Sequence, residues 1–331
     1  MRAIIVDEFG LPERLRVAEV PPPRPGPGEV LVEVHMAPVN YVDLLVVGGT
    51  YQSLPARPFI PGKGPAGIVA ALGPDVSAPH VGDCVLAMAE EGGYAELVVL
   101  RANQCYRLPP RMSFLDAAST SLVYDTAWFA LRERARLAPG ETVLVLGASG
   151  GVGHAAVQLA RALGARVLAG VSRTERAAAV RAAGAEAVID LSSENLREAL
   201  REQVWAATDG RGADVILDPL GGEVFAAALR ALAWCGRLVV IGFAAGHIPT
   251  VKANYLLLKN IEVSGLQVSD YRRRRPAQMA ACFADIFELY VQGRITPATA
   301  QVFPLEQAGT ALAALRDRRL SGRAVLRLRE D

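Results

Sequence analysis

Residues 142–153 read TVLVLGASGGVG, and they carry the clearest chemical signal in the sequence. An apolar strand-like run enters a turn spelled Ala148, Ser149, Gly150, Gly151, Val152 and Gly153. The register is Ala148-x-Gly150-x-x-Gly153, with alanine at the first of three positions where a dinucleotide cradle usually has glycine. Small residues let the backbone approach a pyrophosphate, and the helix that follows offers free N–H groups and the positive end of its dipole. A tight-packing turn with no ligand is the plainer alternative. The next strand, RVLAGV, ends at Val171. A site for NAD expects an acid there to bond the ribose 2′-hydroxyl. Ser172, Arg173 and Arg176 stand there instead, with Glu175 as a counter-charge. A hydroxyl and two guanidinium groups suit a 2′-phosphate, so the predicted cofactor is NADPH.

The elements that must position this turn follow from the pattern around it. From about residue 118 to 260, short apolar runs alternate with Ala- and Leu-rich helical stretches, which predicts an α/β domain with a doubly wound parallel sheet. Ser113 with Asp116 marks a helix start ahead of it. The preceding chain is different. Short β-type runs at 2–6, 15–20 and 29–36, then AGIVAALGPDV, GDCVLAM and GGYAELVVL, are broken by Gly, Pro and Asp turns and predict a compact β-rich domain. The tail holds a strand-like IEVSGLQV, an amphipathic stretch at 276–293, a short strand near ATAQVFPL, a helix at 305–318 and a closing strand RAVLRLR.

Composition narrows the classes. The 331 residues are 51% hydrophobic and 21% charged, with 35 Lys plus Arg against 34 Asp plus Glu. That balance gives no nucleic-acid footprint, and no apolar run is long enough for a membrane span. The start, MRAIIVDEFG, turns polar too soon for a signal peptide. Cys84, Cys105, Cys235 and Cys282 form no CxxC pair, and isolated thiols fit a reducing cytoplasm. His35, His80, His154 and His247 are scattered without ligand spacing, so no metal is expected.

Taken together, PGPGEVLVEV, VNYVDLLVVGGTY, PFIPGKGPAGIV, GGYAELVVL, DTAWFAL, the cradle, VILDPLGG, GRLVVIGFAAG and GRAVL resemble the medium-chain dehydrogenase/reductase superfamily, and within it the zinc-free quinone oxidoreductase (zeta-crystallin-like) branch. The resemblance implies a GroES-like catalytic domain from 1–117 and 261–331, and a Rossmann NADPH-binding domain from 118–260. It implies an active site between them and a homodimer formed through IEVSGLQV. Metal-dependent relatives carry a Cys and a GHE segment. Here the Cys position is Asn40, the His is Lys63 and the Glu is Gly64. Many zinc-free relatives keep an acid at that last position, so Gly64 is a departure.

Without a Lewis acid, the acceptors easiest to reduce are conjugated, namely a quinone or an enone, because the charge spreads onto an oxygen that hydrogen bonds can hold. Tyr51, in GGTY, and Asn40 are the candidate donors to that oxygen; Tyr41 is a rival to Tyr51. Asp43 matches the acid of the family's N-x-x-D segment, with a loop-orienting role as the alternative to a reactive one. Simpler roles remain open for Tyr51, as a pocket wall, and for Asn40, as a turn residue. Thr126, in DTAWFAL, matches a family position near the nicotinamide carboxamide. Gly242 and Phe243 follow a strand at the sheet's carboxyl edge and are expected beside the nicotinamide and ribose. Asn254 matches a recurring family Asn with no role derived from the residues. Leu191 replaces a family Tyr that packs on the 2′-phosphate. His154 is expected as a partly exposed helix residue, Lys63 as a side chain pointing to solvent, and Arg272–Arg275 as a solvated basic face, with anionic-substrate capture as the alternative. An enoyl-thioester reductase and a non-catalytic NADPH-binding protein are the rival functions.

Overall fold

The computed structural model describes residues 1–329. The chain forms two compact units. The first comprises Met1–Leu122, Arg272–Phe287 and the segment from Pro297 onward; the second comprises Val123–Tyr271 and Glu288–Thr296.

The first unit opens with β1 (Arg2–Ile5), β2 (Arg16–Glu19), β3 (Glu29–Val39), β4 (Ala66–Leu72), β5 (Cys84–Ala87), β6 (Leu97–Arg101) and β7 (Cys105–Arg107). Strand β3 shows why this half is a sheet. Val30, Val32 and Val34 alternate onto the core face, and from His35 to Val39 every residue is buried. Period-two burial selects a half-covered strand, and a continuous buried run selects one covered on both faces. β3 pairs antiparallel with β4 and with β6.

The second unit holds β8 (Thr142–Leu146), β9 (Arg166–Val171), β10 (Ala187–Asp190), β11 (Ala213–Asp218), β12 (Leu232–Val240) and β13 (Glu262–Gly265). Their spatial order is β10-β9-β8-β11-β12-β13, and all the pairings are parallel. β8 lies inside the sheet and all five of its residues are buried, as a strand covered by helices on both faces requires. Its core joins Leu144, Leu168, Ile216 and Leu238 with Phe225 of the helix Gly222–Ala231 and Leu200 of the helix Leu196–Ala207.

The chain then returns to the first unit as β14 (Ala300–Pro304) and β15 (Arg323–Arg327). The order in that sheet is β14-β15-β3-β4-β5-β7, so β15 is inserted between β14 and β3. Its core runs from Ile4 and Val32 to Leu312 and Leu326. The helix Phe114–Thr120 begins where the sequence indicates: Ser113 Oγ accepts the Asp116 N–H at 3.0 Å. No helix among the described residues is long and apolar enough to cross a membrane. The four cysteines are free.

Candidate active site

In the first unit, a buried polar network gathers around the turn from β3 into the helix Tyr41–Val47. Asn40 is the N-cap, and the Asp43 Oδ2 accepts its backbone N–H at 2.9 Å. The same oxygen accepts the Asn40 amide at 3.2 Å and the Tyr94 hydroxyl at 3.0 Å. Burial pushes the Asp43 carboxyl up to about 6, against the pull of the Asn40 N–H, the Lys63 charge and the Tyr94 hydroxyl. Burial also raises the Tyr94 phenol well above its ordinary value, and the neighbouring Asp43 adds to that. The Asn40 side chain is fully engaged by protein. Its Nδ2 also lies 3.4 Å from the carbonyls of Pro38 and Lys63, and its Oδ1 accepts from Arg323 at 2.9 Å. Only 4% of Asn40 is exposed. Its geometry is that of a clamp.

Lys63 differs from what the sequence suggests, and the structure explains Gly64. Lys63 does not point out into solvent: it is only 8% exposed, and its Nζ donates to Glu90 Oε2 at 2.6 Å. Arg272 donates to the other oxygen of Glu90 at 2.9 Å. Burial pushes the Glu90 carboxyl up, but Arg272 and Lys63 outweigh it and hold it at about 2. Arg272 is therefore a buried member of this cluster and not part of a solvated face, whereas Arg273, Arg274 and Arg275 are exposed. A side chain that needed only solvent would not be drawn inward; the Glu90 carboxylate supplies the compensating charge. The Lys63 ammonium also stands over the Tyr51 ring, 5.9 Å from its centroid. Tyr51 is half-buried and packs on the core of the unit, whereas Tyr41 is exposed. Gly64 has φ 65°, and a β-carbon there would overlap Ser121 Oγ and stand 2.7 Å from Leu122 Cδ1. No acid fits at this position because Ser121 and Leu122 fill the space.

The second unit brings the cradle residues to the carboxyl edge of its sheet. The Ala148 N–H bonds the Gly170 carbonyl at 3.0 Å, tying the turn to β9. The helix Gly151–Ala162 starts at Gly150 with no side-chain cap. Its first N–H groups are thus left to a ligand or to solvent. A β-carbon at Gly153 would overlap the Gly147 carbonyl and lie 2.6 Å from Ala148 Cα, so this glycine is needed for strand–helix packing. A β-carbon at Gly150 would meet only the Gly147 carbonyl, at 3.3 Å, so the space above it is open. Such a shape fits a pyrophosphate.

Ser172 and Arg173 are exposed just past β9, and Arg176 is half-buried. The loops after β11 and β12 interlock. The Gly222 N–H donates to the His247 carbonyl at 3.0 Å, and Ala245 donates to Leu220 at 2.9 Å. Asp218 Oδ1 accepts from the backbone of Leu220 and Gly221, which shapes the first of these loops. Gly242 and Phe243 lie in the second, and Phe243 is 40% exposed. Thr126 is buried on the helix Val123–Phe129, which packs on the helix Gly151–Ala162. His154 is partly exposed, as expected, and lies 2.8 Å from Gln158 Nε2. Leu191 is buried and Asn254 is exposed. Tyr94, Glu90 and Arg323 carried no signal in the sequence, because each joins the network only through tertiary pairing.

Comparison with known proteins gives concordant matches. The model "Alcohol dehydrogenase GroES-like domain" matches residues 26–110, and "Zinc-binding dehydrogenase" matches residues 151–285. Quinone oxidoreductase-like protein 2 of Rattus norvegicus is 36% identical over 329 residues, covering 99% of this chain and 92% of the relative. A solved mycobacterial protein complexed with NADPH superposes with a TM-score of 0.91 at 32% identity, covering 99% of this chain and 100% of that one. A mycocerosic acid synthase-like polyketide synthase of Mycobacterium tuberculosis is 33% identical over 302 residues, which is 91% of this chain but 14% of that protein.

Proposed function

We propose that this chain, which belongs to the quinone-oxidoreductase-like branch of the medium-chain dehydrogenase/reductase superfamily, is an NADPH-dependent reductase of quinones and α,β-unsaturated carbonyls that works without a metal. The cofactor, when bound, supplies a hydride from its nicotinamide ring. The protein's own residues do the rest. The N–H groups of Gly151 and Val152 receive the pyrophosphate over the open side of Gly150. Ala148 and Ser149 shape the turn beneath it, and Gly153 lets helix and strand close. Ser172, Arg173 and Arg176 hold the 2′-phosphate. Gly242 and Phe243 border the nicotinamide ribose, and Thr126 bonds the carboxamide.

One observation carries the substrate class. Where relatives that use a metal place its ligands, this unit places Asn40, whose amide is engaged by protein, and a cation, Lys63, beside the phenol donor Tyr51. Among the described residues, no three His, Cys, Asp or Glu side chains gather to hold a metal ion. Donors and a cation suit an oxygen that gains charge by conjugation. Tyr51 donates the hydrogen bond, and then the proton, to that oxygen. Asn40 and Asp43 act by position, holding the turn that carries the helix Tyr41–Val47. The test is loss of the NADPH absorbance band with a panel of quinones and enones. Turnover of at least one is expected; cofactor binding with no turnover across the panel overturns the reading and favours a non-catalytic role.

The polyketide-synthase match supports a second reading, reduction of an enoyl thioester. A CoA thioester saturated far faster than any quinone would favour it. We also propose a homodimer. β13 is the outermost strand of its sheet, and its open edge supports pairing with a second copy. Light scattering that shows a monomer at micromolar concentration would overturn this.

A further inference from the structure

Lys63 has more hydrogen-bonding capacity than its surroundings use. An ammonium carries three N–H donors. One goes to Glu90 Oε2, and the other two have no acceptor among the described residues. The side chain is only 10% exposed. A buried ammonium with unmatched donors is costly unless something else receives them. Glu90 is shared, because its second oxygen accepts from Arg272 at 2.9 Å. Arg272 is itself nearly buried, its side chain 3% exposed, so the carboxylate is gripped from a side fixed in the fold. The backbone is fixed as well: the Lys63 carbonyl lies 3.4 Å from the Asn40 amide, and Gly64 N–H donates to the Ala89 carbonyl at 3.1 Å. The ammonium is held by Glu90 and stands over the ring of Tyr51.

We propose that Lys63 is a substrate-binding group whose ammonium donates a hydrogen bond to the carbonyl oxygen beside Tyr51. This rests on the reductase reading above. When hydride adds to the β-carbon of an enone, the C=C π pair shifts toward the carbonyl and the oxygen becomes an enolate anion. Lys63 holds that charge and keeps its own proton. A proton from Tyr51 or solvent then completes the reduction, and two electrons and two hydrogens have been added. The cation takes the electrostatic part that a Lewis acid plays elsewhere, at the position where a metal-dependent relative has its histidine.

The test compares wild type with Lys63→Met and Lys63→Arg. Three quantities are read: NADPH affinity by fluorescence titration, steady-state kcat and KM with a quinone and an enone, and binding of 4-nitrophenolate with NADP+ present. The phenolate is an anionic-oxygen probe, used at a pH where it is ionised. With NADPH affinity within about twofold of wild type, K63M should lose about 10²-fold in kcat, the scale of deleting one oxyanion donor. K63R should recover about tenfold of that. Phenolate should bind K63M at least tenfold more weakly than wild type.

Where the wild type turns over, a K63M kcat within threefold of wild type overturns the proposal and leaves the reductase reading standing. Where the wild type turns over nothing, the reductase reading fails and the phenolate arm judges Lys63 alone. There, equal binding by K63M, or no binding by wild type, overturns the proposal. If K63M does not fold, Lys63→Gln is measured against the same limits.

Discussion

A β-carbon added to Gly64 would occupy the space of the Ser121 hydroxyl. The two residues therefore exclude each other's larger alternatives. Gly64→Glu should fail to fold stably, and Gly64→Ala should cost about 2–4 kcal/mol, combining left-handed backbone strain with overpacking. The double variant G64A/S121G should recover part of the loss, because it removes the Ser121 overlap but neither the Leu122 contact nor the strain. Urea unfolding of the three proteins checks this. Equal stability of G64A and wild type would show that the turn relaxes freely.

Asp43 gives a pH signature of defined sign. Its folded-state value, about 6, lies above the ordinary carboxylate value of 3.8. The folded protein thus binds the proton more tightly, and this contribution to stability is full below about pH 4 and lost as pH rises through 6. The size is on the order of 2–3 kcal/mol. Asp43→Asn cannot titrate, so the stability difference between wild type and D43N should move against wild type between pH 4 and 7. A difference that does not change over that range would mean Asp43 titrates alike folded and unfolded.

Glu90 works in the opposite direction. Its carboxyl is held at about 2 by Arg272 and Lys63, so its contribution is present above the ordinary value of 4.5 and lost as pH falls toward 2. Glu90→Gln should flatten the acid limb of unfolding, which lies below the pH range governed by Asp43. Acid titrations followed by circular dichroism separate the two.

The cradle makes a paired prediction. Gly153→Ala puts a methyl into the Gly147 carbonyl and should destabilise the second unit by about 2 kcal/mol or more. Gly150→Ala meets only one atom, at 3.3 Å, and should fold normally. Its methyl stands where the pyrophosphate approaches, so NADPH affinity should fall about tenfold. If both variants fold alike and bind alike, the turn is not a phosphate site.

The 2′-phosphate assignment is tested by cofactor choice. Arg173→Ala with Arg176→Ala should weaken NADPH by about 10–10²-fold, consistent with loss of charge-assisted hydrogen bonds, and leave NADH nearly unchanged. Parallel loss of both cofactors would place these arginines in a structural role.

Local features were legible from sequence because they are local. The strand–turn–helix at 142–162, the Ser113 cap and the strand–helix alternation around β8 and β9 each rest on residues close together in the chain. The buried network was not legible. Asn40 meets Arg323 across 283 positions, and Glu90 meets Arg272 across 182. No periodicity encodes such pairs. Lys63 shows the cost of reading a charge by type alone: a lone lysine in a Gly–Pro turn suggests solvent, and only the position of Glu90 turns it inward. The short helices Tyr41–Val47 and Ala253–Lys259 also escaped notice, being too brief to show a helical period.

The insertion of β15 between β14 and β3 has a consequence for biosynthesis. A ribosome delivers residues in order, and the first 122 must wait for a strand at 323–327 before their sheet is complete. The second unit, through Tyr271, has left the ribosome by then. Arg323, on that same late strand, is the residue that clamps Asn40. The nascent first unit therefore keeps an unfinished edge and an open clamp until that late strand arrives.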